Sequence, residues 1–354
     1  MTTTLSPDKN LKARWLRLRE GESGLRARDA ATRLGVSEGE LVAARCGDDS
    51  VRLEGPWGEL IKRLPELGEV MALTRNDHVV HEKTGIFEKV SVMGAMGLVL
   101  GRDIDLRLFL GRWVSGFAVA EPAQDGVRHS LQFFDASGTA VHKVYLRDAS
   151  DFAAYERLIG DFIADDQSPG LAAHPVPAPE PQRPDSAIDR EALRERWLAL
   201  QDVHDFHSLL TEFGLGRVQA LRLAGEDLAR PVAPSSFRTA LERAAAESLP
   251  IMVFVGSPGV VQIHTGPIAN LRTVGPWFNV LDPGFNLHLR EDGVAGAWVV
   301  RKPTRDGIVS ALEVYDAAGG QIAWMFGERH EGEPEQQAWR ALLGNLTAAT
   351  GAAR

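Results

Sequence analysis

Apolar residues fall into two kinds of register along this chain. In Ile251-Met252-Val253-Phe254-Val255, Ala297-Trp298-Val299-Val300 and Ala311-Leu312-Glu313-Val314-Tyr315 they form short runs bounded by Gly, Pro or Asp, which predicts strands closed by tight turns. At the start of each half, over 236–248, and over 150–164 and 334–347, they recur at helical spacing. Strands grouped apart from helices predict the α+β class, with a large antiparallel β-sheet flanked by α-helices in each lobe.

The pattern occurs twice. Residues 70–146 and 251–327 align at a constant offset of 181, with Gly85 on Gly266, Gly94 on Gly275 and Leu106 on Leu287. The turn Phe133-Phe134-Asp135-Ala136-Ser137-Gly138 falls on Val314-Tyr315-Asp316-Ala317-Ala318-Gly319. Each half opens on one helical signature, Leu11-Lys12-Ala13-Arg14-Trp15-Leu16 and Leu193-Arg194-Glu195-Arg196-Trp197-Leu198, in which Trp15 and Trp197 are expected core anchors. Between them, 168–186 carries Pro169, Pro175, Pro177, Pro179, Pro181 and Pro184, a composition that favours an extended linker. The expected organisation is a tandem structural duplication: an N-terminal lobe 1–165, a Pro-rich linker 166–186 and a C-terminal lobe 187–354.

Composition narrows the function classes. The 354 residues are 44% apolar and 25% charged, ordinary for globular domains. The longest apolar stretch, 92–100, is about half of what a bilayer-spanning helix needs, so no membrane insertion is expected. The single cysteine, Cys46, and an N-terminus without signal-peptide features point to a cytoplasmic setting. A net charge of −9 argues against a surface built for nucleic acid. One segment keeps that class open as an alternative. Residues 27–46 read as a helix-turn-helix, with Gly35 at the turn and Ser37 capping a second helix, as in a DNA-binding regulator. Against it, Glu38 and Glu40 near the start of the second helix would repel phosphates.

The candidate chemistry lies where the halves disagree. His204 and His207, in Gln201-Asp202-Val203-His204-Asp205-Phe206-His207, stand three apart and share one helical face. Imidazole is a common metal ligand, and a haem iron held by one histidine keeps its other face open. Two surface histidines on an amphipathic helix is the alternative. A structural zinc would need further Cys or His ligands, and none lies near in sequence.

The order of His204, Phe213-Gly214-Leu215-Gly216-Arg217-Val218, Gln262-Ile263-His264-Thr265-Gly266-Pro267, Gly275-Pro276-Trp277-Phe278-Asn279-Val280-Leu281-Asp282 and Phe326-Gly327-Glu328-Arg329 resembles the cytoplasmic haem-utilisation proteins of the HemS/ChuS hemin-degrading type. His81-Glu82-Lys83-Thr84-Gly85 and Asp105-Leu106-Arg107-Leu108-Phe109-Leu110 add to the likeness, which covers nearly the whole chain. The resemblance implies haem b (iron protoporphyrin IX) as the bound group and His204 as its proximal ligand, with His207 a second imidazole beside it. Arg217, Lys302 and Arg329 become candidate partners of the haem propionates, and Arg107 a catalytic cation on the distal side. For each of these the alternative is an exposed salt bridge. Of the aromatics Phe206, Phe237, Phe254 and Phe278, Phe254 is the favoured haem wall; His81, near His78 and matched closely by His264, is read as a strand or turn histidine with a second haem there as the alternative, and His142 and His174 are assigned no role. The resemblance implies a role in iron acquisition: carrying haem to a haem oxygenase or from an importer component, or opening the porphyrin oxidatively with electrons from an external donor. No nicotinamide or flavin fingerprint follows a strand.

Overall fold

The structure, a computed structural model, describes residues 10–22, 25–123, 126–176, 181–329 and 332–349. The first half runs α1 (Leu11–Gly21), α2 (Ala27–Leu34), α3 (Glu38–Ala43), β1 (Ser50–Leu53), α4 (Trp57–Arg63), β2 (Gly68–Arg75), β3 (Val79–Gly85), β4 (Val90–Met93), β5 (Met96–Leu100), β6 (Asp105–Phe109), β7 (Ser115–Ala123), β8 (Gly126–Phe134), β9 (Ala140–Ser150) and α5 (Phe152–Phe162). The second half repeats it element for element: α6 (Arg190–Leu198), α7 (Asp205–Phe213), α8 (Arg217–Ala224), β10 (Ala229–Val232), α9 (Ser236–Ala246), β11 (Ile251–Gly256), β12 (Val260–Gly266), β13 (Leu271–Val274), β14 (Trp277–Asp282), β15 (Phe285–Arg290), β16 (Gly296–Thr304), β17 (Gly307–Tyr315), β18 (Gln321–Gly327) and α10 (Gln337–Gly344). No helix among the described residues is long and apolar enough to cross a membrane.

The chain forms two compact units, 1–75 with 81–178 and 256–262, and 76–80 with 179–255 and 263–354. In the first, β1, β7, β8, β9 and β2 are antiparallel neighbours in that order, and β4, β5 and β6 form a meander. The second repeats both arrangements with β10, β16, β17, β18 and β11 and with β13, β14 and β15. The turns that marked the duplication have one geometry. Gly138 and Gly319 sit at φ +76° and +81°, where a side chain would be strained, and Asp135 and Asp316 each accept two backbone N–H groups across their turns.

Alternation along each strand sends one face of the sheet to each layer of helices. In the second unit Val253, Val299, Leu312, Val314 and Met325 pack with Phe237, Leu241, Trp339 and Leu342 of α9 and α10. On the other face Val300 and Tyr315 lie under α6, α7 and α8 with the fully buried Trp197. Trp15 is likewise a buried anchor, of the α1–α3 cluster.

Residues 27–46 do form two helices. Gly35 takes a left-handed conformation after α2, and the Ser37 hydroxyl accepts from the Glu40 N–H (3.2 Å) while the Glu40 carboxylate accepts from the Ser37 N–H (2.8 Å). The DNA-binding alternative fails on packing. α3 buries Glu38, Gly39, Leu41, Val42 and Ala43, so the would-be recognition helix is a core element. The described parts of the Pro-rich segment form no strand, close on a 3-10 turn at Asp185–Ala187 and are tied down at both ends. Arg52 donates to the carbonyls of Ser168 and Gly170 in the first unit, and Asp185 accepts from Gln219 and Arg222 in the second.

Candidate functional site

His204 is the N-cap of α7, and His207 lies in its first turn with its N–H donating to the His204 carbonyl (3.3 Å). Both side chains face outward, and that of His204 is 88% exposed. Asp202, two residues before the cap, accepts through one oxygen from the His204 backbone N–H (2.9 Å) and contacts His204 Nδ1 at 2.6 Å. The backbone N–H, with the ring, holds the Asp202 carboxyl below the usual range. A carboxylate only accepts, so Nδ1 carries the proton in the neutral ring and the Nε2 lone pair is the one presented outward.

Beneath this turn, Phe206 is 1% exposed and meets Trp197 edge-on at 4.5 Å between centroids. It also caps a buried charge cluster on the sheet. The wholly buried Glu313 carboxylate accepts from Arg217 Nη2 (2.8 Å) and Nε (2.9 Å), from Lys302 Nζ (3.1 Å) and from the Tyr315 hydroxyl. Burial alone would raise the Glu313 carboxyl, but Arg217 and Lys302 outweigh it and hold the group well below the carboxylate range. Burial, aided by the Arg217 charge and opposed by Glu313, pushes the Lys302 ammonium down to about 8. Two of the three cations suggested for propionates are therefore engaged by a carboxylate that the sequence reading did not single out. Lys302 is buried, in place of the exposed salt bridge weighed for it.

Beside the cluster the same sheet face is apolar and only partly covered. Cross-strand pairs Glu313 with Trp324, and Trp324 with Phe254, put these side chains on one side, since opposed residues share a face. Phe254 and Trp324 stack at 5.5 Å and 20°, and Phe254 meets Phe326 edge-on at 5.2 Å. Val203, the residue before His204, packs with Met252, Phe254 and Trp324 against Val309, Ala311 and Phe326. An exposed imidazole thus stands at the border of an aromatic wall, the combination that a flat apolar macrocycle with a central iron requires. Of these side chains the sequence reading had singled out Phe254 as a wall candidate, and not Trp324, Phe326 or Met252. Arg329 follows β18, is half-buried, and its Nε finds no acceptor among the described residues. It is the suggested propionate cation with hydrogen-bonding capacity left over.

Arg107 lies on β6 of the first unit, one-third exposed, paired with Asp105. Phe237 and Phe278 are core, and His81 is wholly buried on β3. His142 is buried with Nδ1 at 2.9 Å from the Thr74 hydroxyl. A cavity of about 200 Å³ lined by Val299, Arg301, Ile308, Ser310, Arg340 and Leu343 lies on the opposite face of β16 and β17 and contains no histidine. Among the described residues no group of three or more His, Cys, Asp or Glu could hold a metal ion, a grouping that haem ligation by one imidazole does not need.

The sequence matches the haemin-degrading HemS/ChuX domain over residues 35–162 and 214–346. The chain belongs to this family. It is 44% identical over 339 residues to the hemin transport protein HemS of Yersinia enterocolitica, covering 96% of this chain and 97% of that one. The crystal structure of holo-PhuS, a haem-binding protein from Pseudomonas aeruginosa, superposes with a TM-score of 0.94 at 50% identity, covering 98% of this chain and all of PhuS. That of the haem-degrading enzyme ChuS from Escherichia coli O157:H7 gives 0.90 at 40% identity, covering 96% and 99%. The family expectation of repeated lobes with large antiparallel sheets and flanking helices is therefore met at the level of sequence, element order and strand pairing.

Proposed function

We propose that this protein binds haem for iron acquisition, with His204 as the axial ligand and the Phe254–Trp324 face as the wall, and that it carries the haem to a haem oxygenase. One observation carries the reading: the Asp202-tethered, outward-facing His204 beside an incompletely covered aromatic face, in a chain whose relatives include a hemin transport protein and a haem-binding protein. Arg329 is the favoured propionate partner because its Nε has no acceptor among the described residues, while Arg217 and Lys302 support the turn through Glu313. His207, exposed one turn on, is suited to take the iron during hand-over. In this reading the cargo is haem b, the common iron porphyrin, and the setting is the cytoplasm.

A second reading, oxidative opening of the porphyrin, is favoured by the 40% identity to ChuS, described as a haem-degrading enzyme. In it Arg107 acts at the distal side, and an external donor supplies electrons. Hemin titration of the intact chain, His204→Ala and Arg107→Ala, followed by reductant under air, separates the readings. Carriage predicts a Soret band that persists until a haem oxygenase is added. Degradation predicts its loss with a ring-opened product, slowed in Arg107→Ala. An unchanged spectrum and affinity in His204→Ala would remove the ligand assignment.

A further inference from the structure

Among the described residues Asp202 alone bonds the ring of His204, at 2.6 Å from Nδ1. We infer that Asp202 is a positioning residue for haem ligation: by holding Nδ1–H of His204 it aims Nε2 at the iron and selects His204 over His207. The inference rests on the proposed haem reading and adds the device that makes one of two neighbouring imidazoles the ligand.

The geometry is economical. A single oxygen, Asp202 Oδ1, accepts the His204 backbone N–H at 2.9 Å and lies 2.6 Å from Nδ1, so the bond that shapes the entry to α7 also fixes the ring's tautomer. An imidazole that is 88% exposed has little packing to hold its rotamer, and this bond does what packing does elsewhere. His207 is exposed too, and its ring has no hydrogen-bond partner among the described residues, so its tautomer and orientation are unset. Metal-bound histidines generally donate their second ring N–H to a carboxylate or carbonyl, which orients the ring and makes it a stronger donor to the metal. The same bond, acting through the iron, favours its ferric form. The carboxylate's two roles are separable. Asp202→Asn keeps an oxygen for the backbone N–H and loses the charge behind the imidazole, whereas Asp202→Ala loses both.

The test uses the full-length protein and its His204→Ala, His207→Ala, Asp202→Asn and Asp202→Ala variants. Hemin affinity is read from Soret titration, the iron–imidazole stretch of the ferrous complex from resonance Raman, and the fold of each apo-protein from circular dichroism. Asp202→Ala should weaken hemin binding by about 10- to 100-fold. Asp202→Asn should fold normally, lower the iron–imidazole stretching frequency and raise the midpoint potential, changes that a purely structural role for the loop would not produce. His207→Ala should keep the iron–imidazole signature and cost less hemin affinity than His204→Ala. If His204→Ala abolishes the imidazole signature while both Asp202 variants keep wild-type frequency and affinity, the positioning role is overturned and the ligand stands. If His204→Ala changes nothing, or His207→Ala costs as much as His204→Ala, the selection is overturned together with the ligand assignment.

Discussion

Lys302 places its ammonium 4.5 Å from the centroid of the Phe206 ring while donating to Glu313. Arg217 approaches the same ring at 5.0 Å and grips the same carboxylate with two N–H groups. The first turn of α7, which carries His204, therefore rests on a buried cluster of two cations, one anion and a tyrosine. Such clusters set geometry more than they add stability, because desolvation offsets most of the attraction.

Removing the anion exposes that balance. Glu313→Gln leaves Arg217 and Lys302 buried together without compensation and should destabilise the second unit by about 3–5 kcal/mol. Lys302→Met should cost less, because the Arg217–Glu313 pair survives. Because the folded state holds the Glu313 carboxyl below its ordinary 4.5, its contribution is complete above that pH and is lost as the pH falls. Urea denaturation of the variants at neutral and acid pH measures both effects.

Arg329 and Lys302 should part company in binding and stability. Lys302 is committed to Glu313, whereas Arg329 Nε has no acceptor among the described residues. A charge-assisted hydrogen bond to one propionate, worth about 1.5–3 kcal/mol, corresponds to roughly a 10- to 100-fold loss of hemin affinity in Arg329→Ala with little change in melting temperature. Lys302→Ala should show the reverse, and paired hemin titrations and thermal melts decide it.

The acid limb of the first unit has its own sensor. Burial holds the His142 imidazole down at about 3, against an ordinary 6.5. The unfolded chain takes up a proton below about pH 6.5 and the folded chain does not until far lower. Stability therefore falls as the pH drops through this window, by at most about 1.4 kcal/mol for each pH unit from this residue. His142→Leu should flatten the dependence of unfolding free energy on pH between 6 and 4.5, at some fixed cost from the stranded Thr74 hydroxyl.

Much of the fold was legible because its punctuation is chemical: an aspartate that accepts backbone N–H groups and a glycine in left-handed space recur at matching positions, and few other residues meet that demand. Trp15 and Trp197 were readable as core anchors because a large aromatic recurs at the matching place in the two opening helices. Glu313 was not, because a carboxylate inside an apolar strand reveals its partners only once Arg217 and Lys302 arrive from other elements. A signal was present, however. In Ala311-Leu312-Glu313-Val314-Tyr315 the alternation puts Glu313 on one face with Ala311, and a charge flanked by apolar residues demands a counter-ion. Asp202 carried the signal of a turn aspartate, whose side chain accepts the backbone N–H two residues on. Trp324 stayed hidden because stacking on Phe254 is set by strand register, which periodicity does not fix.

The duplication supplies an internal control for the aromatic wall. At the offset of 181, Phe254 and Trp324 correspond to Leu73 and Lys143. Lys143 is buried against Glu38, whose carboxyl, despite the upward push of burial, is held at about 2 by Lys143 and Arg75. The first unit has thus filled with an ion pair the place where the second keeps an aromatic surface. Trp324→Ala should remove a stacking contact worth about 0.5–1.5 kcal/mol beyond its buried area, lowering hemin affinity roughly tenfold, while the apo-protein remains folded. Lys143→Ala should leave hemin affinity unchanged and destabilise the first unit, because Glu38 loses one of its two cations. Soret titration beside chemical denaturation tests the pair, and equal losses of affinity in the two variants would show that the wall is not confined to the second unit.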